Sequence, residues 1–245
     1  LEQRARAEAE EAVRLRDMFL SIASHELKTP LTSLLGNAQL LQRRAKHEGG
    51  FSERNGRAID VIADQAARLN KMIAALLDVS RIETGQLTIE RTPLDLGALV
   101  RRVVGEIQPT TDQHTIALSM DDEPLWIDGD ELRLEQVVHN LVGNAIKYSP
   151  QGGPIDVRLE RQEAYASVTV RDQGLGIPAA AVPQLFQRFF RANNVDDQHI
   201  PGMGIGLFVV NEIVSLHAGT IEVKSREGAG STFTLCLPLR DSHAA

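Results

Sequence analysis

The chain has 245 residues, with 26 Lys and Arg against 33 Asp and Glu, so its formal net charge is −7. That balance excludes a dedicated nucleic-acid binder, and a single cysteine, Cys236, excludes an intrachain disulfide. The hydrophobic fraction of 42% supports a packed core, while only 4% aromatics points to helices rich in Ala, Leu, Ile and Val.

Residues 1–18 are rich in Ala, Glu and Arg and lack Gly and Pro, a helix composition. No signal peptide is recognisable, and no apolar run approaches the ~18–20 residues that cross a bilayer. The pattern begins in mid-helix at Leu1, as expected of a piece of a longer protein. From Phe19 a wide apolar face runs through Leu20, Ala23, Leu27, Leu31, Leu34, Ala38 and Leu41, which predicts a bundle helix. Pro30 lies inside it and predicts a bend. Gly49 and Gly50 break the pattern. Ser52 is placed to cap a second helix, in which Ile59, Ile62, Ala66, Leu69, Ile73 and Leu76 repeat as a and d positions. That helix ends near Gly85. One hairpin buries too little to stand alone, so a homodimer forming a four-helix bundle is expected.

Beyond Gly85 the texture changes. Leu87–Arg91 alternates as a strand, and Asp95 caps a helix over Leu96–Ile107. Thr115–Met120 alternates again, and Asp130–Lys147 is a long amphipathic helix. Ile155–Arg161 and Ala166–Asp172 pair about a turn near Glu163. A helix over Ile205–His217 precedes strands at Thr220–Lys224 and Ser231–Leu239. Cys236 alternates with apolar residues in the last strand and is read as buried. Helices with antiparallel-type strands predict an α+β sandwich, helices on one face of the sheet. The expected organisation is a helix at 1–18, a helical domain at 19–85 and an α/β domain at 86–245.

Three glycine-rich stretches stand at element boundaries in the last part. Asp172-Gln-Gly174-Leu-Gly176 follows a strand, Gly202-Met-Gly204-Ile-Gly206-Leu207 opens a helix, and Gly228-Ala-Gly230-Ser-Thr232 precedes the last strand. Such turns let a backbone approach phosphate, and a helix N-terminus offers it N–H donors. Taken singly, each could be an ordinary turn. The second is not a Rossmann fingerprint, since no parallel strand precedes it and no acid follows at the required distance. Asn140, Asn144 and Lys147 share one face of an otherwise apolar helix. Amide oxygens suit a hard cation such as Mg²⁺, and the ammonium suits a phosphate.

In order along the chain, His25-Glu-Leu-Lys-Thr-Pro30, Asn140-Leu-Val-Gly-Asn144-Ala-Ile-Lys147-Tyr148, Asp172–Ile177, Leu185–Phe190, Gly202–Leu207 and Gly228–Thr232 resemble the H, N, G1, F, G2 and G3 boxes of bacterial sensor histidine kinases. The resemblance spans about residues 15–240. It implies two domains: a helical hairpin forming a dimeric four-helix bundle, then an α/β-sandwich ATP-binding domain of the Bergerat type shared with gyrase-like ATPases. It implies ATP and Mg²⁺ as cofactors. Asp172 would select adenine. Asn144, with Asn140 beside it, would hold Mg²⁺. Lys147 and Tyr148 would face the phosphates and ribose. Gly174, Gly176, Gly202, Gly204, Gly206, Leu207 and Thr232 would shape the nucleotide pocket, and Ala192–Pro201 would be a lid. Arg188 and Arg191 would stabilise charge on the γ-phosphoryl group; the competing reading of both is a salt bridge at the rim. Gln173, Gln187 and Phe208 depart from the usual family residues without removing a chemical group.

A histidine with a pKa near 6.5 is mostly neutral and nucleophilic at pH 7. Glu26 would accept a hydrogen bond from Nδ1–H of His25 and leave Nε2 free to attack. The resemblance implies transfer of the phosphoryl group onward to an aspartate of a response-regulator receiver domain. It also assigns Thr29 to a phosphatase reaction on that partner. Two other functions fit parts of the sequence: a conformational ATPase of the same superfamily, or a non-catalytic scaffold. The expected location is cytoplasmic, with any membrane attachment lying in segments beyond this chain.

Overall fold

The computed structural model describes residues 27–41, 43, 53–121, 123–195, 200 and 202–240. The chain divides into two compact units, Leu1–Glu83 and Thr84–Ala245. His25, Glu26 and Ser52 lie outside the described residues, as does most of the lid segment, 196–199 and 201.

The described residues of the first unit are helical. Helix α1 is described over 27–41 and runs without interruption through Pro30, which is buried. Thr32 Oγ1 donates to the Lys28 carbonyl at 2.8 Å, a local back-bond that tends to bend a helix. Helix α2 covers Glu53–Glu83. Ala58, Met72 and Val79 are buried, whereas Ile59, Ile73 and Leu77 remain 41%, 43% and 53% exposed. On α1, Leu31, Leu35 and Leu40 are exposed as well.

The second unit begins with β1 (Thr92–Asp95), α3 (Leu96–Ile107), β2 (His114–Met120), β3 (Trp126–Gly129) and α4 (Glu131–Lys147). It continues with β4 (Gly153–Gln162), β5 (Tyr165–Arg171), α5 (Gly206–Leu216), β6 (Thr220–Ser225) and β7 (Ser231–Pro238). A five-stranded sheet has the order β2-β4-β5-β7-β6, and β1 pairs with β3 in a separate ribbon. Period-two alternation turns Ile155, Val157 and Leu159 of β4, and Phe233, Leu235 and Leu237 of β7, to the buried face. Helix α4 packs between α3 and α5 and against β4 and β5, covering that face. Its Leu134, Val137, Val138 and Leu141 are at most 1% exposed.

Caps set the helix starts. Asp95 Oδ1 accepts from Gly97 N–H at 2.9 Å to open α3. Asp130 opens α4 by accepting from Arg133 N–H at 3.1 Å. Its other oxygen accepts from Glu90 N–H at 3.0 Å.

Three sequence expectations need correction. Leu87–Arg91 is not a strand; β1 starts at Thr92. The alternation there is real, with Leu87 buried and Thr88 and Glu90 exposed, but the Glu90 N–H is spent on the Asp130 side chain instead of a neighbouring strand. The sheet is also not wholly antiparallel, because β2 pairs with β4 in parallel, Ile116 beside Ile155. The α4 crossover returns the chain to run beside β2 in the same direction. Cys236 stands on β7 as expected, but it is half-buried, since the alternation gives the core to Leu235 and Leu237.

Candidate functional site

Helix α4 carries the site's polar stripe. Asn140, Asn144, Lys147 and Tyr148 are all half-buried along it. Asn144 Nδ2 donates to Asn140 Oδ1 at 3.0 Å. That bond orients the pair and leaves the Asn144 amide oxygen as an acceptor for a hard cation. The donor set therefore fits Mg²⁺. Lys147 Nζ lies 3.4 Å from the Tyr148 hydroxyl and 4.9 Å from the centre of its ring.

The glycine loops close on this stripe one position at a time. A methyl group on Gly206 would stand 2.6 Å from the Asn140 amide nitrogen, and one on Gly202 would stand 2.6 Å from Lys147 Nζ. One on Gly174 would collide with the Tyr148 carbonyl and with Ser149 Oγ. Loops far apart in sequence thus lie against α4 and its C-cap, most tightly at Gly174, where a methyl group would meet backbone, and at Gly206, where it would meet the Asn140 amide. The Leu175 N–H donates to the Tyr148 carbonyl at 2.9 Å and fastens the first of them. Gly176 (φ 62°) and Gly204 (φ 69°) take left-handed backbone conformations that favour glycine.

Asp172 directly follows β5 and is 5% exposed. Its Oδ1 accepts from Gly174 N–H at 2.8 Å and from Ser231 N–H at 3.2 Å. Burial pushes its carboxyl above the ordinary carboxylate range, and the two N–H bonds act in the opposite direction. Asp172 is thus a carboxylate fixed by backbone donors inside the unit.

Two arginines hold the loops. Arg191 donates from one guanidinium nitrogen to the Gly202 carbonyl at 3.0 Å, and from the other to the Ile200 carbonyl. The Arg188 guanidinium lies 5.7 Å from the ring centre of Phe208, at the start of α5. Phe189 between them has φ 60°, a backbone position rarely held by an aromatic residue. Leu207 is half-buried in the first turn of α5. Thr232 is a half-exposed strand residue paired with Arg171, and its neighbour Ser231 makes the contact to Asp172.

Sequence reasoning missed four polar groups. Ser231 reaches Asp172 through its backbone. Ser225 Oγ accepts from Ile177 N–H at 2.9 Å and donates to the Gly230 carbonyl at 2.8 Å, tying two glycine loops together. Asn194 Nδ2 donates to the Gly176 carbonyl at 3.1 Å. Buried His217 accepts from Asp130 N–H at Nε2 (3.0 Å) and donates from Nδ1 to the Ile213 carbonyl (2.7 Å), which joins α5 to the cap of α4. Burial lowers its pKa below 6.5. Ser231 and Asn194 fall inside stretches that the sequence marks, Gly228–Thr232 and Ala192–Pro201, but neither residue carries a signal of its own there, and no pattern points to Ser225 or His217. Thr29 is exposed on α1.

Among the described residues, no helix is long and apolar enough to cross a membrane. Two family models match the chain in succession: the His Kinase A (phospho-acceptor) domain over residues 15–85, and the histidine kinase-, DNA gyrase B- and HSP90-like ATPase over 129–241. The sensor histidine kinase RcsC of Escherichia coli K12 is 35% identical over 242 residues, 98% of this chain and 25% of that protein. The chain thus spans about a quarter of the length of such relatives. Among solved structures, the Acinetobacter baumannii histidine kinase AdeS aligns with TM-score 0.66 at 25% identity, over 89% of this chain and 98% of AdeS. Full-length ShkA, solved with AMPPNP, aligns with TM-score 0.66 at 25% identity, over 90% of this chain and 45% of ShkA. With both domain models matched in order and kinase relatives along almost its whole length, the chain belongs to the sensor histidine kinases, of which it forms the catalytic core.

Proposed function

We propose that the chain is an ATP-dependent protein-histidine kinase that phosphorylates His25 and passes the phosphoryl group to an aspartate of a response-regulator receiver domain. The observation that carries this reading is the wall of glycine loops against the Asn140–Tyr148 face of α4. The ShkA relative, solved with a nucleotide analogue, supports ATP as the ligand of that wall.

In this reading Asp172 accepts the adenine amino group, and its fixed Oδ1 sets the orientation of the carboxylate. Lys147 neutralises phosphate, while Tyr148 covers the ribose side. Asn144, oriented by Asn140, holds Mg²⁺, which when bound shields the phosphate charge. Gly174, Gly176, Gly202, Gly204, Gly206, Leu207 and Thr232 shape the pocket, and Arg191 anchors the stem of the lid. Arg188, resting on Phe208, stabilises charge on the transferring group. Nε2 of His25, with Nδ1–H held by Glu26, forms a bond to the γ-phosphorus as the bond to the β–γ bridging oxygen breaks. ADP leaves, and the Nδ1 proton of the phosphoimidazolium passes through Glu26 to solvent, which returns the ring to neutrality.

The hairpin's uncovered stripe, Ile59, Ile73 and Leu77, supports a homodimer in which two hairpins complete a four-helix bundle. Glu26 and Thr29 support a phosphatase reaction on the receiver domain, with Thr29 positioning water. Incubation with γ-labelled ATP and Mg²⁺ tests the kinase. Acid-labile, base-stable label that disappears in His25→Gln is expected. ATP hydrolysis without label overturns the kinase in favour of a conformational ATPase, and neither label nor hydrolysis leaves a scaffold.

A further inference from the structure

We propose that Glu106, Glu135 and His139 form a site for a first-row transition-metal ion of the Zn²⁺ class, bridging α3 and α4. Glu135 and His139 are four residues apart and share a face of α4, and Glu106 reaches them from the last turn of α3. His139 Nε2 lies 3.6 Å from Glu106 Oε2 and 3.9 Å from Glu135 Oε1. All three candidate ligand atoms fall within 4.8 Å of one another, the one such cluster among the described residues. A point equidistant from three atoms so spaced is at most about 2.4–2.5 Å from each, against the roughly 2.0–2.2 Å of Zn–N and Zn–O bonds. Half-exposed side chains cover that difference by small torsional adjustments.

The oxygens are already sorted. Arg102 binds the opposite oxygen of each glutamate, Glu135 Oε2 at 2.7 Å and Glu106 Oε1 at 3.8 Å. Glu135 Oε1 and Glu106 Oε2 are left turned toward the imidazole, and an outer partner that orients a ligating carboxylate is the usual companion of a metal site. Glu131 takes the other end of Arg102 at 2.7 Å. Three carboxylates thus face one guanidinium, and the excess negative charge favours a cation. One imidazole and two carboxylates suit Zn²⁺ or Ni²⁺ better than Mg²⁺, which prefers oxygen alone. The amide pair Asn140–Asn144 has the contrary preference, so the two sites would sort their ions by donor type. Water would complete the coordination shell at this half-exposed position.

The test is a Zn²⁺ titration of the full 245-residue chain without nucleotide. The His139 ring resonances are followed by NMR, and the binding isotherm is measured in parallel. One equivalent of Zn²⁺ should shift the His139 ring signals, and millimolar Mg²⁺ should not reverse the shift. His139→Gln and Glu106→Gln should each weaken that binding step at least about tenfold. Ring signals of native His139 that stay in place at stoichiometric Zn²⁺ overturn the proposal; they would leave the cluster as an ion-pair network around Arg102. An isotherm unchanged in His139→Gln overturns it equally, and the NMR measurement on the native chain does not depend on how the variants fold.

Discussion

The two units of the chain bury their apolar residues by different routes. In the second unit the core closes within one chain: Leu134, Leu141, Ile155, Ile213 and Leu235 have no exposed surface. In the first unit a line of apolar residues on α2 stays open, with Ile59, Ile73 and Leu77 each at least 41% exposed. A sheet covered by three helices supplies two apolar layers that satisfy each other. A two-helix hairpin supplies one layer and must find the other elsewhere. The polar chemistry divides in the same way. The second unit fixes its functional groups with backbone donors and glycine contacts, whereas Thr29 of the first stands on an exposed helix face.

The sharpest break of this comparison is at the nucleotide wall. Asp172→Ala should abolish measurable ATP binding or weaken it by one to two orders of magnitude. It removes a hydrogen bond to a charged acceptor, worth about 1.5–3 kcal/mol, and strands the N–H groups of Gly174 and Ser231. Fluorescent-nucleotide titration reads the loss. Gly206→Ala should also cost at least about tenfold in affinity, because its methyl group must displace the Asn140 amide that orients Asn144. Unchanged affinity in Gly206→Ala would mean that the wall tolerates rearrangement.

Next comes the hairpin. Ile73→Glu should convert a dimer to a monomer in sedimentation and reduce phosphorylation of His25 more than tenfold if the bundle must assemble. Nucleotide affinity of the second unit should change less than about twofold, because that core closes on its own. A coupled loss of both would show that the second unit depends on the bundle.

How much of this was legible follows from where each signal resides. The α4 stripe was readable because Asn140, Asn144 and Lys147 repeat at helical spacing within one segment. Asp172 and the glycines were readable as a family pattern, the helices α3 and α4 from periodicity with a capping aspartate before each, and α5 from its apolar pattern alone. Ser231 was not, since it acts through a backbone N–H that nearly any residue carries. The misplaced first strand has a similar origin. Alternation reports which side of a segment is buried, whereas a strand needs a partner edge, and the Glu90 N–H found a carboxylate instead. The parallel pairing of β2 with β4 depends on the α4 crossover, which no local window contains.

A smaller effect separates the units by pH. His217 sits neutral between Asp130 N–H and the Ile213 carbonyl, with its pKa lowered by burial. The unfolded chain takes up a proton near pH 6.5 while the folded one resists it, so the folded state loses ground as pH falls below 6.5. The stabilisation is fully present above that pH and declines until the folded ring itself titrates. The urea midpoint of the second unit should therefore drop between pH 7 and pH 5.5. His217→Gln should start lower and decline less steeply. Parallel slopes in the two proteins would assign the acid sensitivity to other groups.

The smallest effect tests whether close approach, and not glycine itself, is what the nucleotide wall requires. Gly105 lies exposed near the end of α3, and a methyl group added there would meet no atom within 4 Å. Gly105→Ala should stabilise the second unit by about 0.5–1 kcal/mol, because alanine loses less backbone entropy on folding into a helix. Thermal unfolding should register this as a rise of a few degrees, with nucleotide affinity unchanged. Gly206→Ala makes the same chemical change at the first residue of α5, where the added carbon meets the Asn140 amide. A gain in stability at one glycine and a loss of binding at the other, from one identical methyl group, would locate the site's requirement in the 2.6 Å approach to α4.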